Sequence, residues 1–260
     1  MTPVTLITGA SAGIGTELAR VFARHGHTLA LTARRKERLD ALASEIAAAG
    51  GARPLTLALD LAQPGAAAQI GEALAANGLE PQFVVNNAGF GLVGRAATLP
   101  YGEQLDMIDL NVRALADLSL SFIDSLERQH GGILNVASVA GFLPGPGSAV
   151  YYASKAFVLS LTEALHEELR PRGIRVTCLC PGPVATEFQT RAGIAGEVPP
   201  WPLAVTASRV AEAGYGGLMR GQRVVIPGLA NKLVALVAAR LTPRRILLAQ
   251  LEARQLKRRA

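Results

Sequence analysis

The chain has 260 residues, half of them hydrophobic, and a formal net charge of +6. That length and apolar content allow one sizeable core and argue for a single domain. After Ala239 there are seven basic residues against Glu252 alone, which accounts for the whole net charge, so nucleic-acid binding by the neutral body is unsupported.

Other classes are excluded by what the residues lack. The four histidines are scattered, with no His-Glu-x-x-His pattern, and no Cys/His cluster has zinc-ligand spacing, so no metal is expected. Cys178 and Cys180 are two apart in an apolar run, where a strand would turn both to one face as buried thiols. Same-strand neighbours are poorly placed for a disulfide, which points to a reducing compartment. The amino terminus enters an apolar strand without a basic n-region or cleavage site, and no segment is long and uncharged enough to span a bilayer. A cytoplasmic protein is expected.

Taken in order, Val4 to Thr8 reads as a strand, followed by Gly9-Ala-Ser11-Ala-Gly13-Ile14-Gly15 and a helical repeat of Leu18, Val21 and Phe22. Strand, glycine turn and helix start together form a seat for a pyrophosphate, since backbone N–H groups and a helix N-terminus face the anion. Thr28 to Thr32 is the second strand. It ends in Ala33-Arg34-Arg35, where a dinucleotide fold that selects NAD carries an acid for the ribose hydroxyls and one that selects NADP carries arginine for the 2′-phosphate. Leu55 to Leu59 is the third strand, ending at Asp60, whose carboxylate either caps the next helix or accepts from an adenine amine.

Phe83 to Val85 leads into Asn86-Asn87-Ala88-Gly89, and a long helix is predicted from about Tyr101 to Leu126 with Asn111 inside it. Asparagine is a mediocre helix former, so one flanked by apolar turns suggests a buried polar task. Ile133 to Ala137 is a strand ending at Ser138. Tyr151 opens a helix to about Arg170, and Ile174 to Leu179 is a strand ending in Cys180-Pro181-Gly182-Pro183-Val184-Ala185-Thr186. From Glu187 to Trp201 the chain is irregular and reads either as a lid over strand ends or as an ordinary surface loop. Val210 to Met219 is helical, Arg223 to Ile226 is a last strand, and the tail carries Leu229, Leu233, Leu236, Val237 and Leu241 on one helical face before a basic end.

The centre of this pattern is Tyr151-x-x-x-Lys155. Four residues apart on a helix, a phenol and an ammonium share one face, and a neighbouring cation is expected to lower the pKa of the phenol so that it exchanges protons near neutrality. Every candidate lies at a strand end or helix start on one side of a parallel sheet, where doubly wound folds bind ligands. Together, Thr8-Gly-x-x-x-Gly-x-Gly15, Asn86-Asn-Ala-Gly89, Asn111, Ser138, Tyr151-x-x-x-Lys155 and Pro181-Gly182 resemble the short-chain dehydrogenase/reductase family, in its order and spacing, over residues 4 to about 228.

The resemblance implies a single-domain α/β fold, a Rossmann-like doubly wound parallel sheet with helices on both faces. Residues 1–228 would form the dinucleotide-binding catalytic domain and 229–260 a basic amphipathic helical extension. It implies Tyr151 as general acid/base, Lys155 lowering its pKa and holding the nicotinamide ribose, Ser138 bonding the substrate carbonyl and Asn111 holding a water of the proton relay. Gly9, Ser11, Gly13, Ile14 and Gly15 would line the pyrophosphate end, Asp60 and Leu61 the adenine, and Asn87, Ala88 and Gly89 the middle of the cofactor. Pro181, Gly182, Val184 and Thr186 would lie at the carboxamide, and Arg34 and Arg35 favour NADP(H) over NAD(H). Phe90, Phe142, Leu143 and Trp201 lie beside these motifs and predict a mainly apolar carbonyl or alcohol substrate. Family members often pair through the two long helices, so a homodimer or homotetramer is expected, and the basic tail suggests weak contact with a membrane surface. The rival reading is a catalytically silent NADP(H)-sensing protein; such proteins typically lack the tyrosine or the lysine, and both are present here.

Overall fold

A computed structural model describes residues 1–194, 204–238 and 243–258. The first half runs β1 (Thr2–Thr8), α1 (Gly13–Arg24), β2 (Leu29–Ala33), α2 (Lys36–Ala48), β3 (Leu55–Ala58), α3 (Ala66–Ala76) and β4 (Leu79–Asn86). The second continues through α4 (Tyr101–Ile108), α5 (Leu115–Ser121), α6 (Ile123–Arg128), β5 (Gly132–Val136), α7 (Ala149–Leu169), β6 (Arg175–Leu179) and α8 (Phe188–Arg191). It ends with α9 (Ala207–Met219), β7 (Val224–Val225), α10 (Leu229–Leu233) and α11 (Arg244–Arg258).

Among the described residues seven strands form one parallel sheet in the order β3-β2-β1-β4-β5-β6-β7. Parallel strands covered on both faces need apolar residues at every position, and β2 and β5 are buried throughout. Alternation then divides the core. Ile7, Leu31, Val85, Leu134 and Leu179 pack under α1, α2 and α9 with Leu18, Phe22, Leu39 and Val210. Their neighbours Leu6, Ala30, Val84, Ile133 and Val176 pack on the other side with Ile70, Leu118 and Leu165 from α3, α5 and α7. The strand order reverses at β1, whose neighbours are β2 and β4, and doubly wound folds place their ligand crevice outside the carboxyl ends beside such a switch point.

A buried polar network fixes the helices below this crevice. The Asn86 amide donates to Ser119 Oγ (3.0 Å) and Asn135 Oδ1 (2.9 Å), and the Asn135 amide donates to Thr162 Oγ1 (3.0 Å). It joins β4, β5, α5 and α7, so the helix carrying Tyr151 and Lys155 is registered against the sheet by directional bonds as well as packing.

The structure departs from the sequence reading in three places. The helix expected from Tyr101 to Leu126 is broken: Asp109–Ala114 widens into a π-helical turn containing Asn111, and the chain leaves helical geometry at Phe122. Ser119 Oγ bonds the Leu115 carbonyl at 2.7 Å, a back-bond that bends helices. The chain from Glu187, read as irregular, opens with the short helix α8, and the helix expected after Asp60, which the sequence reading leaves without bounds, is α3. Asp60 caps a turn, accepting from Ala62 N at 3.1 Å, six residues before α3 begins, so it does not cap that helix. No helix among the described residues is long and apolar enough to cross a membrane.

Candidate active site

The glycine turn after β1 is held by its neighbours before any ligand is considered. Thr8 Oγ1 accepts from the backbone N–H groups of Asn87 (2.9 Å) and Ala88 (3.0 Å), and the Asn87 amide donates to the carbonyls of Thr8 (2.9 Å) and Gly9 (3.2 Å). A Cβ on Gly15 would lie 2.3 Å from Gly9 O, and Gly9 and Gly13 have φ of 65° and 58°, so these positions require glycine. Helix α1 has no side-chain cap, its N-cap residue is Ala12, and no acid stands in its first turn. Its leading N–H groups therefore suit an external anion, and the residues present fit the pyrophosphate of a dinucleotide.

Other predicted cofactor residues fall at the same edge with distinct surroundings. Arg34 is exposed and, among the described residues, has no ion-pair or hydrogen-bond partner. Arg35 donates to Ser11 Oγ (3.2 Å) and to Glu187 (2.8 Å). Leu61 is buried in the core, which leaves only its main chain for an adenine. Ile14 packs against the core under α1, and Val184 is buried in it. Gly182 is required by packing: a Cβ there would meet the Asn231 side chain of α10 at 2.3 Å, and Asn231 in turn donates to Pro227 O.

Four polar side chains converge where β5 and α7 meet the crevice. Ser138, at the end of β5, accepts from Ala140 N (3.1 Å), donates to Pro181 O (3.5 Å) and lies close enough to the Tyr151 hydroxyl to draw its pKa down. The Lys155 ammonium is 5% exposed, donates to Val136 O (2.9 Å) and lies 6.0 Å from the centre of the Tyr151 ring. Asn111 is fully buried: its amide donates to Phe90 O (2.9 Å) and Ser154 Oγ (3.1 Å), and its carbonyl accepts from Phe90 N (3.1 Å). The π turn swings Asn111 inward to make these bonds. Ser154 completes the link to α7 by donating to Tyr151 O at 2.7 Å. A Cβ on Gly89 would sit 2.8 Å from Asn111 Oδ1, so that close approach needs glycine.

The electrostatics correct one expectation. Tyr151 keeps part of its surface exposed, yet protein packs densely around its phenol, and burial pushes the pKa up to about 12 despite the opposing influence of the Ser138 hydroxyl. Burial also brings Lys155 down to about 8, countered in part by Cys178 and Cys180. Spacing on one helix face led to the opposite prediction for the phenol. Desolvation alone can shift a buried group by up to about 3–5 units, and here it is the largest influence on the phenol, with Tyr152 pushing the same way and only Ser138 opposing. Tyr151 is consequently a neutral phenol at pH 7, the protonation state of a proton donor.

The substrate side is lined by loops. Phe90 is half-buried under the Arg191 guanidinium (4.8 Å), and Phe188 lies 5.5 Å from the Tyr151 ring, so the segment after β6 covers the tyrosine. Phe142 packs against the small cluster of Cys178, Cys180, Ile226 and Ala235, with Leu143 half-buried beside it; Trp201 lies outside the described residues. The cysteine pair is buried and unbridged, with the sulfurs 3.6 Å apart. Tyr152, on the adjacent face, accepts from Gln255 of α11 at 2.9 Å, and Glu252 pairs with Arg95 at 3.1 Å. The tail thus docks beside the site while its Arg244, Arg245, Arg254 and Lys257 stay exposed. Ser154, Asn135, Thr162 and Gln255 were not singled out by sequence, since nothing in their local sequence distinguishes them from ordinary helix and strand positions. No group of side chains among the described residues could hold a metal ion.

Burying Lys155 gives a stability prediction. Its folded pKa of about 8 lies below the unfolded value of 10.5, so the folded state carries a charging penalty below pH 8 that fades as pH rises toward 10.5. Lys155→Met removes that penalty but leaves the Val136 carbonyl without its donor. A net gain of about 1–2 kcal/mol is expected below pH 8, shrinking to nothing or reversing above pH 10.5, by urea denaturation without nucleotide. A variant less stable than wild type at pH 7 would show that the ammonium is well compensated.

The comparisons agree with this geometry. A short chain dehydrogenase family model matches residues 3–194. The chain is 39% identical over 191 residues to sulfoacetaldehyde reductase 2 of Chromohalobacter salexigens, covering 72% of this chain and 75% of that one. It is 37% identical over 190 residues to an NADP-dependent 3-hydroxy acid dehydrogenase of Salmonella typhi, with coverage of 72% and 75%. Among solved structures, a short-chain dehydrogenase from Sphingobium yanoikuyae in complex with NADPH superposes with a TM-score of 0.80 at 37% identity, covering 92% of this chain and 93% of that one. On a match of this extent, the chain belongs to the short-chain dehydrogenase family of oxidoreductases.

Proposed function

We propose that the protein is an NADP(H)-dependent oxidoreductase that interconverts a carbonyl and an alcohol on a mainly apolar substrate. The observation that carries this reading is the convergence of the Ser138 and Tyr151 hydroxyls at the crevice, with Lys155 and Asn111 packed behind them. A bound nicotinamide would supply hydride to the carbonyl carbon, or accept it from the alcohol. Ser138 and Tyr151 donate to the substrate oxygen and stabilise charge as it develops there. Tyr151 passes its proton to that oxygen, and the Lys155 ammonium stabilises the phenolate left behind while bonding the nicotinamide ribose. Asn111 anchors a water through which the proton is replenished. Gly9 to Gly15 hold the pyrophosphate, and Asn87 acts by bracing that turn.

Phe90, Phe142, Leu143 and Phe188 make the substrate environment mainly apolar. The two unbridged thiols suit a reducing compartment, and we place the protein in the cytoplasm. Tyr101, Leu105 and Ile108 on α4, Leu120 on α5 and Phe157 on α7 are exposed apolar residues on the helices expected to pair, which supports a homo-oligomer.

Tyr151→Phe is expected to lower kcat for ketone reduction by about 10²–10⁴-fold while leaving the NADPH Kd within about threefold, because only the proton-transferring oxygen is lost. Tyr152→Phe loses its bond to Gln255 and should remain active. An inactive Tyr152 variant beside an active Tyr151 variant would refute the assignment.

Cofactor choice follows from Ala33-Arg34-Arg35 at the end of β2, where no acid is present to bond ribose hydroxyls or repel a phosphate. Charge-assisted guanidinium–phosphate bonds, each contributing about 1.5–3 kcal/mol where partly desolvated, predict a kcat/KM preference for NADPH over NADH of about tenfold to a hundredfold. Arg34→Ala should lose most of it. Equal use of both cofactors by wild type would mean that these arginines are an ordinary solvated helix start.

In sedimentation at micromolar concentration, a dimer or tetramer is expected, and a monomer would remove the oligomer proposal.

A further inference from the structure

One ion-pair cluster is not absorbed by the chemistry above. Both oxygens of Glu187 are engaged by arginines of the cofactor edge: Arg35 donates to Oε2 at 2.8 Å, and Arg38, from the first turns of α2, donates to Oε1. The same Arg35 reaches Ser11 of the glycine turn at 3.2 Å. Glu187 is thus an anion lodged at Arg35, one of the donors proposed to receive a 2′-phosphate, and at Arg38 one helical turn further on. The two arginines hold its carboxyl below its ordinary pKa, so it is charged at neutral pH.

Glu187 also sits in the segment that covers the crevice. On one side of it Thr186 lies within about 3.0 Å of where a Cβ on Gly13 would be, against the pyrophosphate turn. On the other side Phe188 packs 5.5 Å from the Tyr151 ring, and Ala192 O accepts from Val93 N at 2.9 Å. The chain from Thr186 to Ala192 therefore crosses from the adenosine end to the catalytic tyrosine, and the arginines grip it at the adenosine end.

We propose that Glu187 is a built-in counter-anion for Arg35 and Arg38 that the cofactor's 2′-phosphate displaces, so that cofactor selection is coupled to release of the segment covering Tyr151. This rests on the reading that the arginines after β2 bind the 2′-phosphate. A phosphate carries close to two charges and three acceptor oxygens at neutral pH, against one charge and two oxygens on the carboxylate, so it is the stronger partner for two guanidinium groups. A nucleotide without the phosphate brings nothing to exchange, and the bridge to Glu187 stays closed. Glu187 then acts as a specificity-determining residue, weakening binding of a phosphorylated ligand slightly while reserving the uncovered site for it.

The test uses nucleotide fragments and the whole protein. Calorimetry with adenosine 2′,5′-bisphosphate and adenosine 5′-monophosphate separates the phosphate from the rest of the cofactor. Glu187→Gln keeps the shape of the side chain and removes its charge; the residue is exposed, so folding should be unaffected. It is expected to bind the bisphosphate about threefold to tenfold more tightly, the range for two solvent-exposed ion pairs, with 5′-monophosphate affinity unchanged and the difference shrinking in high salt. Hydrogen exchange gives the second readout: in wild type the bisphosphate, but not the monophosphate, should speed exchange of the amides from Phe188 to Ala192, and in Glu187→Gln these should exchange fast without ligand. If wild type binds both fragments equally, the NADP reading falls and this proposal falls with it. If wild type selects the bisphosphate but Glu187→Gln binds it no better, or more weakly, the NADP reading stands and the counter-anion proposal alone is overturned.

Discussion

The burial of a lysine ammonium beside the phenol proposed as the proton donor is the constraint to which the rest of the site answers. Lys155 is 5% exposed and has one protein hydrogen bond among the described residues, to Val136 O. A buried charge is expensive unless paired, and this one has donors to spare. Ribose hydroxyls would supply the missing acceptors. The same dense packing raises the Tyr151 phenol and keeps it protonated. Burial therefore prepares both groups: a neutral acid poised to give its proton, and a cation under-satisfied until a polyol lies against it.

Holding such a pair in register needs more than apolar contact. The chain of Asn86, Asn135 and Thr162 fixes α7 to the two central strands, and Asn111, bonded to Ser154 and to both backbone groups of Phe90, fixes it to the loop after β4. These bonds cross from strands to helices at the topological switch point, so the polar core and the ligand crevice share a boundary. The π turn at Asn111 is where regular helix gives way to site geometry. Outside this frame lie the loops and the tail helix that brings Gln255 to Tyr152, where the proposed function puts the substrate walls. Framework and walls are built from different parts of the chain, which is how one fold serves many carbonyl substrates.

Much of this was legible in the sequence because it is encoded locally. A strand running into Gly9-x-x-x-Gly13-x-Gly15, a Tyr and Lys one helical turn apart, and Ser138 at a strand end are each short signals whose spacing carries the geometry. What stayed hidden depends on distance in space between residues remote in sequence. Asn86 and Asn135 are 49 residues apart, and Arg35 and Glu187 are 152 apart, so no window contains either pair. The phenol pKa was misread for a related reason: spacing shows that a cation is near, whereas the sign of the shift depends on how much protein surrounds the oxygen. Helix α3 is legible only as an unplaced helix after Asp60 because seven of the eleven residues of Ala66–Ala76 are alanine or glycine, which leaves few apolar anchors to set its bounds.

The most direct test of the central claim is the ionisation of Tyr151 itself, followed through the 13C resonance of its labelled phenolic carbon and assigned by its loss in Tyr151→Phe. Without nucleotide the resonance should remain that of a protonated phenol to beyond pH 10, titrating near 12. Addition of NADP⁺, which brings a positive charge beside the ring and acceptors for Lys155, should lower that pKa by about two units or more. A phenol already ionised below pH 9 without nucleotide, or one whose titration is unchanged when NADP⁺ binds, would contradict the account of Tyr151 and Lys155 as a buried pair completed by the cofactor.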